Sequence, residues 1–333
     1  MRRGPSDLHK TSLTGAAFVC AALVFALALL WTLGAALSPR PEPPAEPPSP
    51  AAVDGRVVAW FGSSSDPFCA PLYDVMEEVC RANGWRLVSY DCKGRTAGQK
   101  GQIEDFLRTE KADVAVLYSV MEESELNGQV KALAEACPVV TVGQRAGTIA
   151  GRYVTAHIGG EERQRTQTLA KYLVENGRGE KALLMTEVPD EKMERETTRG
   201  FSEGNVSILD HNYTWGGQVY AERYMNTALD TFSEVDAVVC ISRHGAAGAQ
   251  AVLTERGLRD RAKIVSLRYD PAMADDLALG VLDAAVAFAP KEAGERLAET
   301  LPDLLDGKET EDKTLTPVLL TPENVDETEL GYE

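Results

Sequence analysis

Polar side chains follow several apolar segments of the chain, where the end of a strand could present them to a ligand. Asp66 lies in a small polar loop after the first such segment, and Arg243 and Arg268 follow two later ones. In open parallel sheets, ligands bind beyond the carboxyl ends of the strands. Arginine donates hydrogen bonds and accepts none, so either arginine could bind an acceptor oxygen or a negatively charged group. A surface ion pair with one of the 51 acidic residues is the alternative for both arginines, and it stays open.

Two of the common catalytic and nucleotide-binding motifs, GxxxxGK[ST] and HExxH, are absent, as is a GxGxxG after the first strand. The sequence matches GxSxG at 200–204, at the end of a predicted helix rather than at a strand-to-helix turn. Four histidines and the lack of any CxxC pair give little basis for a metal site. We therefore expect no catalytic residues, no metal and no cofactor.

The stretch from Arg56 to Asp91 is the unit that the rest of the chain repeats. An apolar run (57–61) is followed by a polar loop, and then by apolar residues at helical spacing. Asn83-Gly84 ends this helix, and a second apolar strand begins at Trp85. A strand, a crossover helix and a second strand predict a parallel sheet that is covered on both faces.

The same alternation continues to residue 158, restarts, and runs on to about residue 305. The two halves predict an α/β fold with two doubly wound parallel-sheet lobes. A last strand is predicted over Pro317–Leu320, and a disordered acidic tail over 326–333. The predicted strands of the second half are 181–186, 206–210, 237–241, 263–267 and 284–288.

The N-terminal region predicts where the protein lies in the cell. Residues 13–37 are uncharged and apolar, long enough to cross a bilayer, and follow a basic segment (1–12) that should stay in the cytoplasm. A cleaved signal peptide, with small residues at 34–36, is the alternative and stays open. Residues 38–52 form a proline-rich linker. We expect a single-pass membrane protein with an extracytoplasmic binding domain.

Charge and cysteine content narrow the class of protein further. The formal net charge of −17 argues against nucleic acid as a partner, because phosphate backbones are bound by clustered Lys and Arg. Five cysteines follow the predicted anchor, an odd number at irregular spacing. Buried free thiols are the favoured interpretation, although one bridge among Cys69, Cys80 and Cys92 stays open.

Taken in order along both halves, these segments resemble the type I periplasmic binding proteins, specifically the ribose-binding-like solute receptors of ABC transporters. The resemblance implies two lobes joined by a hinge. Lobe 1 would comprise residues 53–158 and about 289–308, and lobe 2 residues 159–288 and about 309–325. The matching pieces are Asp66-Pro67-Phe68, Pro138–Val142, His157-Ile158-Gly159-Gly160, Arg195 with Arg199-Gly200-Phe201, Val235–Val239 and Ile264–Leu267.

The resemblance also implies roles for individual residues. Asp66 matches a polar side chain that binds sugar hydroxyls, and Phe68 an aromatic side chain that packs on the sugar ring. Arg195 matches an arginine donor, and Trp215 an aromatic stacking platform. Other positions depart from the pattern of the sugar receptors. Gly143-Gln144-Arg145 and Ser242-Arg243-His244 replace polar pairs that contain Asp, Arg268 replaces an Asp, and Phe288 replaces a polar amide near the last hinge segment.

These departures predict a sugar acid, a phosphorylated molecule or another anion-bearing solute as the ligand. The predicted function is a membrane-tethered solute-binding protein that delivers a sugar-like ligand to an ABC permease. The alternative is a ligand sensor that reports its occupancy to a membrane histidine kinase or chemoreceptor. A scaffold that binds nothing is a third hypothesis, because several polar positions of the family are lost.

Overall fold

The computed structural model describes residues 55–120, 126–143 and 149–332. Helices and strands alternate along them and form two lobes, as the repeat predicts. The first lobe contains β1 (Val57–Gly62), α1 (Ala70–Asn83), β2 (Arg86–Asp91), α2 (Thr96–Thr109), β3 (Val114–Tyr118), α3 (Asn127–Ala136), β4 (Val139–Val142) and β5 (Ala156–Gly159). The second contains α4 (Glu162–Glu175), β6 (Ala182–Thr186), α5 (Glu191–Glu203), β7 (Ile208–Tyr213), α6 (Gln218–Thr231), β8 (Ala237–Cys240), α7 (Arg243–Glu255), β9 (Lys263–Ser266), α8 (Ala274–Ala278) and β10 (Ala284–Phe288). Helix α9 (Pro290–Leu305), β11 (Lys313–Thr314) and β12 (Pro317–Leu320) follow.

Each lobe is built on a six-stranded sheet. The first sheet has the order β11-β5-β4-β3-β1-β2, and the second has the order β12-β10-β9-β8-β6-β7. All pairings are parallel except that of β12 with β10, which is antiparallel. Separate clusters of buried side chains lie on the two faces of each sheet. The parallel sheets therefore have helices on both sides, as nearly continuous apolar strands require.

The first strand and helix show how the sequence sets this architecture. In β1 every residue after Val57 is buried, which suits a central strand covered on both faces. The edge strand β2 carries exposed residues instead. Helix α1 has a proline in its first turn and ends at Gly84 in the left-handed conformation, with φ of 70°. The polar loop between β1 and α1 thus lies at the carboxyl end of the sheet.

Three segments connect the two sheets: one after β5, one after β10 and one between β11 and β12. Helix α9 packs against α1, so the chain returns to the first lobe after β10. The side chain of Phe288, the last residue of β10, belongs to the buried cluster of the first lobe. This residue therefore joins the two lobes through packing as well as through the backbone.

Strand β7 contains a register shift that determines which side chains face α6. Its pairing with β6 shifts between Ala182 and Leu183, after which Asp210 pairs with Leu183 and Asn212 with Met185. Leu183 and Met185 lie in the cluster that α6 and α7 cover. Paired residues of neighbouring strands point to the same face, so Asp210 and Asn212 point toward α6.

The C-terminal residues differ from the predicted disordered tail. Leu330 is 7% exposed in the core of the second lobe, and its carbonyl accepts a hydrogen bond from the Lys291 backbone N–H. The Tyr332 hydroxyl donates to the carbonyl of Phe288 at 3.2 Å. The acidic composition suggested disorder, but these apolar side chains fasten the segment to the start of α9.

Some element bounds also differ from the predictions. The second-half strand predicted over 206–210 lies instead at Ile208–Tyr213. The alternation of the first half, which we expect to reach residue 158, ends in a 3₁₀ turn, Ala150–Tyr153, and the short strand β5. Strand β11, with two residues, was not predicted. The five cysteines of the described residues are buried free thiols.

The predicted membrane segment, 13–37, and the linker lie outside the described residues. Within residues 55–120, 126–143 and 149–332, no helix has the length and hydropathy needed to span a membrane.

Candidate functional site

Asp66 lies at the entrance to α1, where its carboxylate is held in a fixed orientation. Oδ1 accepts hydrogen bonds from the backbone N–H groups of Phe68 at 2.9 Å and Cys69 at 3.0 Å. These bonds satisfy donors at the start of the helix that have no partner within it. The carboxylate also lies beside the Tyr118 hydroxyl, and its negative charge therefore helps to raise the pKa of Tyr118. Asp66 thus caps the start of α1 and also presents a half-exposed hydrogen-bond acceptor at the carboxyl end of the sheet.

Phe68 and Tyr118 form an aromatic pair next to this carboxylate. Their ring centroids lie 6.2 Å apart, with an angle of 28° between the planes. Burial, followed by the neighbouring Asp66 carboxylate, raises the pKa of Tyr118, whereas Arg268 has a smaller opposing effect. Tyr118 ends β3, and its position at a carboxyl end was the signal that could have identified it.

Gly143 allows the strand end beside Tyr118 to approach this ring closely. Its φ is 80°, and a Cβ at this position would lie 2.8 Å from the Tyr118 ring. Glycine is therefore needed there for both its conformation and its size. Residues 144–148, which include the predicted candidate Arg145, lie outside the described residues.

Arg268 reaches this group from the second lobe. It follows β9 and is exposed, and its Nη2 lies 3.7 Å from the Met193 sulfur. Within the described residues it forms no ion pair with a carboxylate. Its positive charge acts to lower the pKa of both Tyr118 and Arg165. Among the described residues, this guanidinium therefore has no carboxylate partner, and its charge acts on Tyr118 of the first lobe.

Arg165 is a second cationic group in this region, and no motif of the sequence singles it out. Its guanidinium lies 4.5 Å from the centre of the Phe288 ring, and Nη1 donates to Glu162 at 3.2 Å. Nε of Arg165 and Oε1 of Glu162 are buried without a hydrogen-bond partner. Burial lowers the pKa of Arg165, Glu162 opposes this shift, and Arg268 adds to it. In the sequence, Glu162 and Arg165 resemble an ordinary i, i+3 surface pair.

Phe288 lies between Arg165 and Gly160, the glycine that follows β5. It is 8% exposed, and a Cβ added to Gly160 would lie only 1.9 Å from its ring. The polar amide expected at this position would bind a ligand, whereas Phe288 fills the space beside the hinge. Its ring therefore fills the space beside Gly160 and makes a cation–π contact with Arg165.

Two of the predicted arginines have carboxylate partners. Nε and Nη2 of Arg243 lie 2.6 Å and 3.1 Å from the two oxygens of Asp276, whose side chain is only 11% exposed. This bidentate pair joins the start of α7 to α8. Arg195 is exposed on α5, with Nε 3.7 Å from the carboxylate of Glu196. For Arg243 the geometry supports the alternative interpretation, an ion pair.

Trp215 lies beyond the end of β7, with a φ of 47° and 58% of its side chain exposed. Its ring centroid is 5.8 Å from that of Tyr213. Both rings line an open groove of about 440 Å³ between β7 and α6. The structure thus groups Asp66, Phe68, Arg268 and Phe288 with Tyr118 and Arg165, and places Trp215 with the aromatic residues of the groove.

The described residues contain no cluster of three or more histidine, cysteine, aspartate or glutamate side chains that could hold a metal ion. Burial raises the pKa of the Cys69 and Cys80 thiols to about 12. Because thiolates are the reactive form, these buried cysteines are poor nucleophiles and poor metal ligands.

Comparison with known proteins agrees with this arrangement. A family model described as a periplasmic binding protein domain matches residues 57–309. The comparison with curated protein sequences gives no match.

Several solved structures are similar over most of the chain. An ABC transporter solute-binding protein from Bacillus halodurans C-125 with bound myo-inositol is 22% identical, with a TM-score of 0.64 over 83% of this chain and 98% of that one. A periplasmic ribose ABC transporter protein from Conexibacter woesei is 16% identical, with a TM-score of 0.71 over 83% and 95%. A glucose-galactose binding protein from Geobacillus stearothermophilus is 15% identical, with a TM-score of 0.67 over 81% and 99%. The match to the family model covers both lobes, and so the chain belongs to the periplasmic binding protein family.

Proposed function

We propose that this chain captures a sugar-like small molecule between its two lobes and delivers it to an ABC importer. The observation that carries the proposal is the grouping of Asp66, Phe68 and Tyr118 from one lobe with Arg268 from the other. Aromatic faces and fixed polar groups are typical of a small-molecule site. The solved relatives named above are described with a polyol or sugars, which supports this class of ligand.

We further propose that the ligand carries a negative charge as well as hydroxyl groups. Arg268 offers donors that no described carboxylate occupies, and arginine binds carboxylates and phosphates in a bidentate manner. Asp66 offers an acceptor for hydroxyl groups on the opposite side. A sugar acid would satisfy both groups, whereas a neutral sugar would leave the arginine with water.

The binding mechanism that we propose is closure of the lobes about the three connecting segments. Phe288 and Gly160 belong to two of these segments and are in contact. In this proposal lobe 1 comprises residues 53–158 and about 289–308, and lobe 2 comprises residues 159–288 and about 309–325, except that β11 pairs in the first sheet. The proposed anchor, residues 13–37, would keep the binding domain near the importer on the outer side of the membrane.

The experiment is thermal melting of the full chain with ribose, galactose, myo-inositol, glucuronate, gluconate and ribose 5-phosphate. A ligand that binds only the folded state raises the melting temperature, by mass action. We expect an acidic compound to give the largest shift and Arg268→Ala to abolish it. The matched control is Arg261→Ala, an exposed arginine before the opposite end of β9. No shift with any compound would contradict the proposal.

A further inference from the structure

The C-terminal segment (residues 324–332) is fastened to both lobes near the hinge. The side chain of Leu330 is 7% exposed and lies in the core of the second lobe. Its carbonyl accepts a hydrogen bond at 3.1 Å from the backbone N–H of Lys291, in the first turn of α9, and α9 packs into the core of the first lobe. At Gly331 the φ is 79°, and a Cβ there would lie 2.8 Å from the Lys291 side chain. The segment therefore passes closely over the start of α9 along a fixed path.

Tyr332 contacts two parts of the chain that lie beside the proposed ligand site. Its hydroxyl donates a hydrogen bond to the carbonyl of Phe288, the last residue of β10, at 3.2 Å. Its ring centroid lies 5.8 Å from that of Tyr269, with an angle of 63° between the planes. Aromatic rings attract each other in such an edge-to-face arrangement. Because Tyr269 directly follows Arg268, Tyr332 joins the hinge strand to the loop that carries this arginine.

Charge effects also place Tyr332 near the group of residues between the lobes. Burial is the largest cause of the raised pKa of Tyr332, the carboxylate of Asp66 adds to it, and the guanidinium of Arg165 opposes it. Such effects fade over about 10 Å at ordinary ionic strength. Tyr332 is therefore close to a carboxylate of the first lobe and to a cation of the second.

The loop that carries Arg268 has mostly local restraints. The Ser266 hydroxyl, two positions away, donates to the Arg268 carbonyl at 2.6 Å. The guanidinium has a weak acceptor, the Met193 sulfur, at 3.7 Å from Nη2, and no carboxylate of the described residues holds it. The Tyr269 ring is partly buried against the core of the second lobe. The ring of Tyr332 adds a contact to this loop from a distant part of the chain.

We propose that Tyr332 is a positioning residue, which holds the Arg268–Tyr269 loop in place and thereby sets the affinity of the site for a charged ligand. This inference rests on the proposed function, because it takes Arg268 as the arginine that binds the ligand. A guanidinium binds a carboxylate or phosphate in a bidentate manner only in the correct orientation. Without the Tyr332 ring the loop would have more conformations, and binding would have to order it at a cost in affinity.

A purely structural role for Tyr332 is the alternative interpretation. Leu330 already holds the segment in the core of the second lobe, whereas Tyr332 is half-buried and packs at the edge of that core. A half-buried side chain removes less apolar area from water than a buried one, so its loss costs less stability. We therefore expect Tyr332→Ala to change affinity more than it changes the stability of the fold.

The first test is calorimetry of the full chain with glucuronate. We expect the dissociation constant to rise about tenfold or more in Tyr332→Ala and about threefold or less in Tyr332→Phe, which keeps the ring. Tyr332→Ala should cause no further loss in a Tyr269→Ala background, because the two rings act through one contact.

Val235→Ala is the control for a loss of stability alone. Val235 is 5% exposed in the core of the second lobe and precedes β8, at the end of the sheet opposite Arg268. Its truncation should lower the melting temperature and leave the affinity for glucuronate unchanged. Equal losses of affinity in Tyr332→Ala and Val235→Ala would overturn the proposal. A loss in Tyr332→Phe as large as that in Tyr332→Ala would also overturn it.

Hydrogen exchange of the ligand-free protein tests the same contact without a ligand. Peptides that cover residues 267–272 should exchange faster in Tyr332→Ala than in the unchanged protein, and at the unchanged rate in Val235→Ala. Unchanged exchange of these peptides in Tyr332→Ala would overturn the proposal. If the unchanged protein binds no acidic compound, the proposed function fails, and hydrogen exchange still decides whether Tyr332 holds the Arg268–Tyr269 loop.

Discussion

The Arg165 guanidinium lies 4.5 Å from the centre of the Phe288 ring, although Arg165 follows the first connection between the lobes and Phe288 precedes the second. Arg165 is in the first helix after β5, whereas Phe288 ends β10. The ring also packs against Gly160 and into the core of the first lobe. This contact fixes the geometry around the hinge, and it places a cation near Arg268.

Phe288→Ala should destabilise the protein strongly. The ring is buried, and its removal would leave a cavity and expose the Arg165 guanidinium to water. Truncation of a buried phenylalanine costs about 3–5 kcal/mol. The free energy of unfolding in urea measures this effect, and Phe288→Leu should lose less. A loss below about 1 kcal/mol in Phe288→Ala would show that the ring is not packed as described.

Gly160→Ala should disturb the hinge. The added Cβ would lie 1.9 Å from the Phe288 ring, so either the ring or the backbone must move. We expect a lower melting temperature and weaker ligand binding. Gly101→Ala is the matched control, because a Cβ added at this position inside α2 would have no neighbouring atom within 4 Å. That change should be neutral or stabilise by about 0.5–1 kcal/mol. Equal effects of the two variants would contradict the packing at the hinge.

Gly143→Ala should weaken ligand binding by displacing Tyr118. Gly143 has a φ of 80°, and a Cβ there would lie 2.8 Å from the Tyr118 ring. The displaced ring would lose its position beside Phe68 and Asp66. Calorimetry with the best compound of the sugar panel should show at least a tenfold rise in the dissociation constant. Tyr118→Phe, which keeps the ring, should bind more tightly than Gly143→Ala; the reverse order would contradict this account.

Arg243→Ala should lower stability without changing affinity for the small ligand. It would leave Asp276, whose side chain is 11% exposed, without its bidentate partner. We expect a lower urea midpoint, and Arg243→Ala with Asp276→Leu should recover part of the loss. Loss of ligand binding in a folded Arg243→Ala variant would instead restore Arg243 to the set of ligand-binding residues.

Stability should fall as the pH rises above 9, because buried thiols resist ionisation in the folded state. Burial raises the pKa of Cys80 to about 12 and that of Cys137 to about 11. These folded-state pKa values lie above the unfolded ones. The stabilisation that the protonated thiols give the folded state is therefore complete below about pH 9 and is lost as the pH rises through about 11 and 12. Urea midpoints measured between pH 8 and pH 11 should decline less steeply in Cys80→Ala. An unchanged slope would show that burial does not protect the Cys80 thiol from ionisation.

The two-lobe fold could be predicted because it depends on local patterns that repeat. Apolar runs such as 57–61 and 237–241 are long enough for buried strands, and Gly84 marks the end of a helix. Strand β11 has only two residues and forms because β5 offers a free edge, which no local pattern reveals. The packed C-terminal segment escaped prediction for a similar reason, since Leu330 meets a surface that is distant in sequence.

The site was less predictable because its residues meet across the lobes. Asp66, Phe68 and Arg268 could be proposed from strand ends, and Phe288 from its place near the hinge. Arg165 could not, because its partner Phe288 is 123 positions away and only the folded chain brings them together. Arg243 resembled a ligand-binding residue, but Asp276, from another helix, occupies its donors.

The central claim is that the two lobes hold a charged, sugar-like ligand through Arg268. The most direct measurement is calorimetry of the full chain with glucuronate and galactose, in the unchanged protein, Arg268→Ala and Arg261→Ala. The account predicts tighter binding of the acid, loss of that binding in Arg268→Ala, and no effect of Arg261→Ala. Tight binding of galactose that survives Arg268→Ala, with no binding of glucuronate, would contradict it.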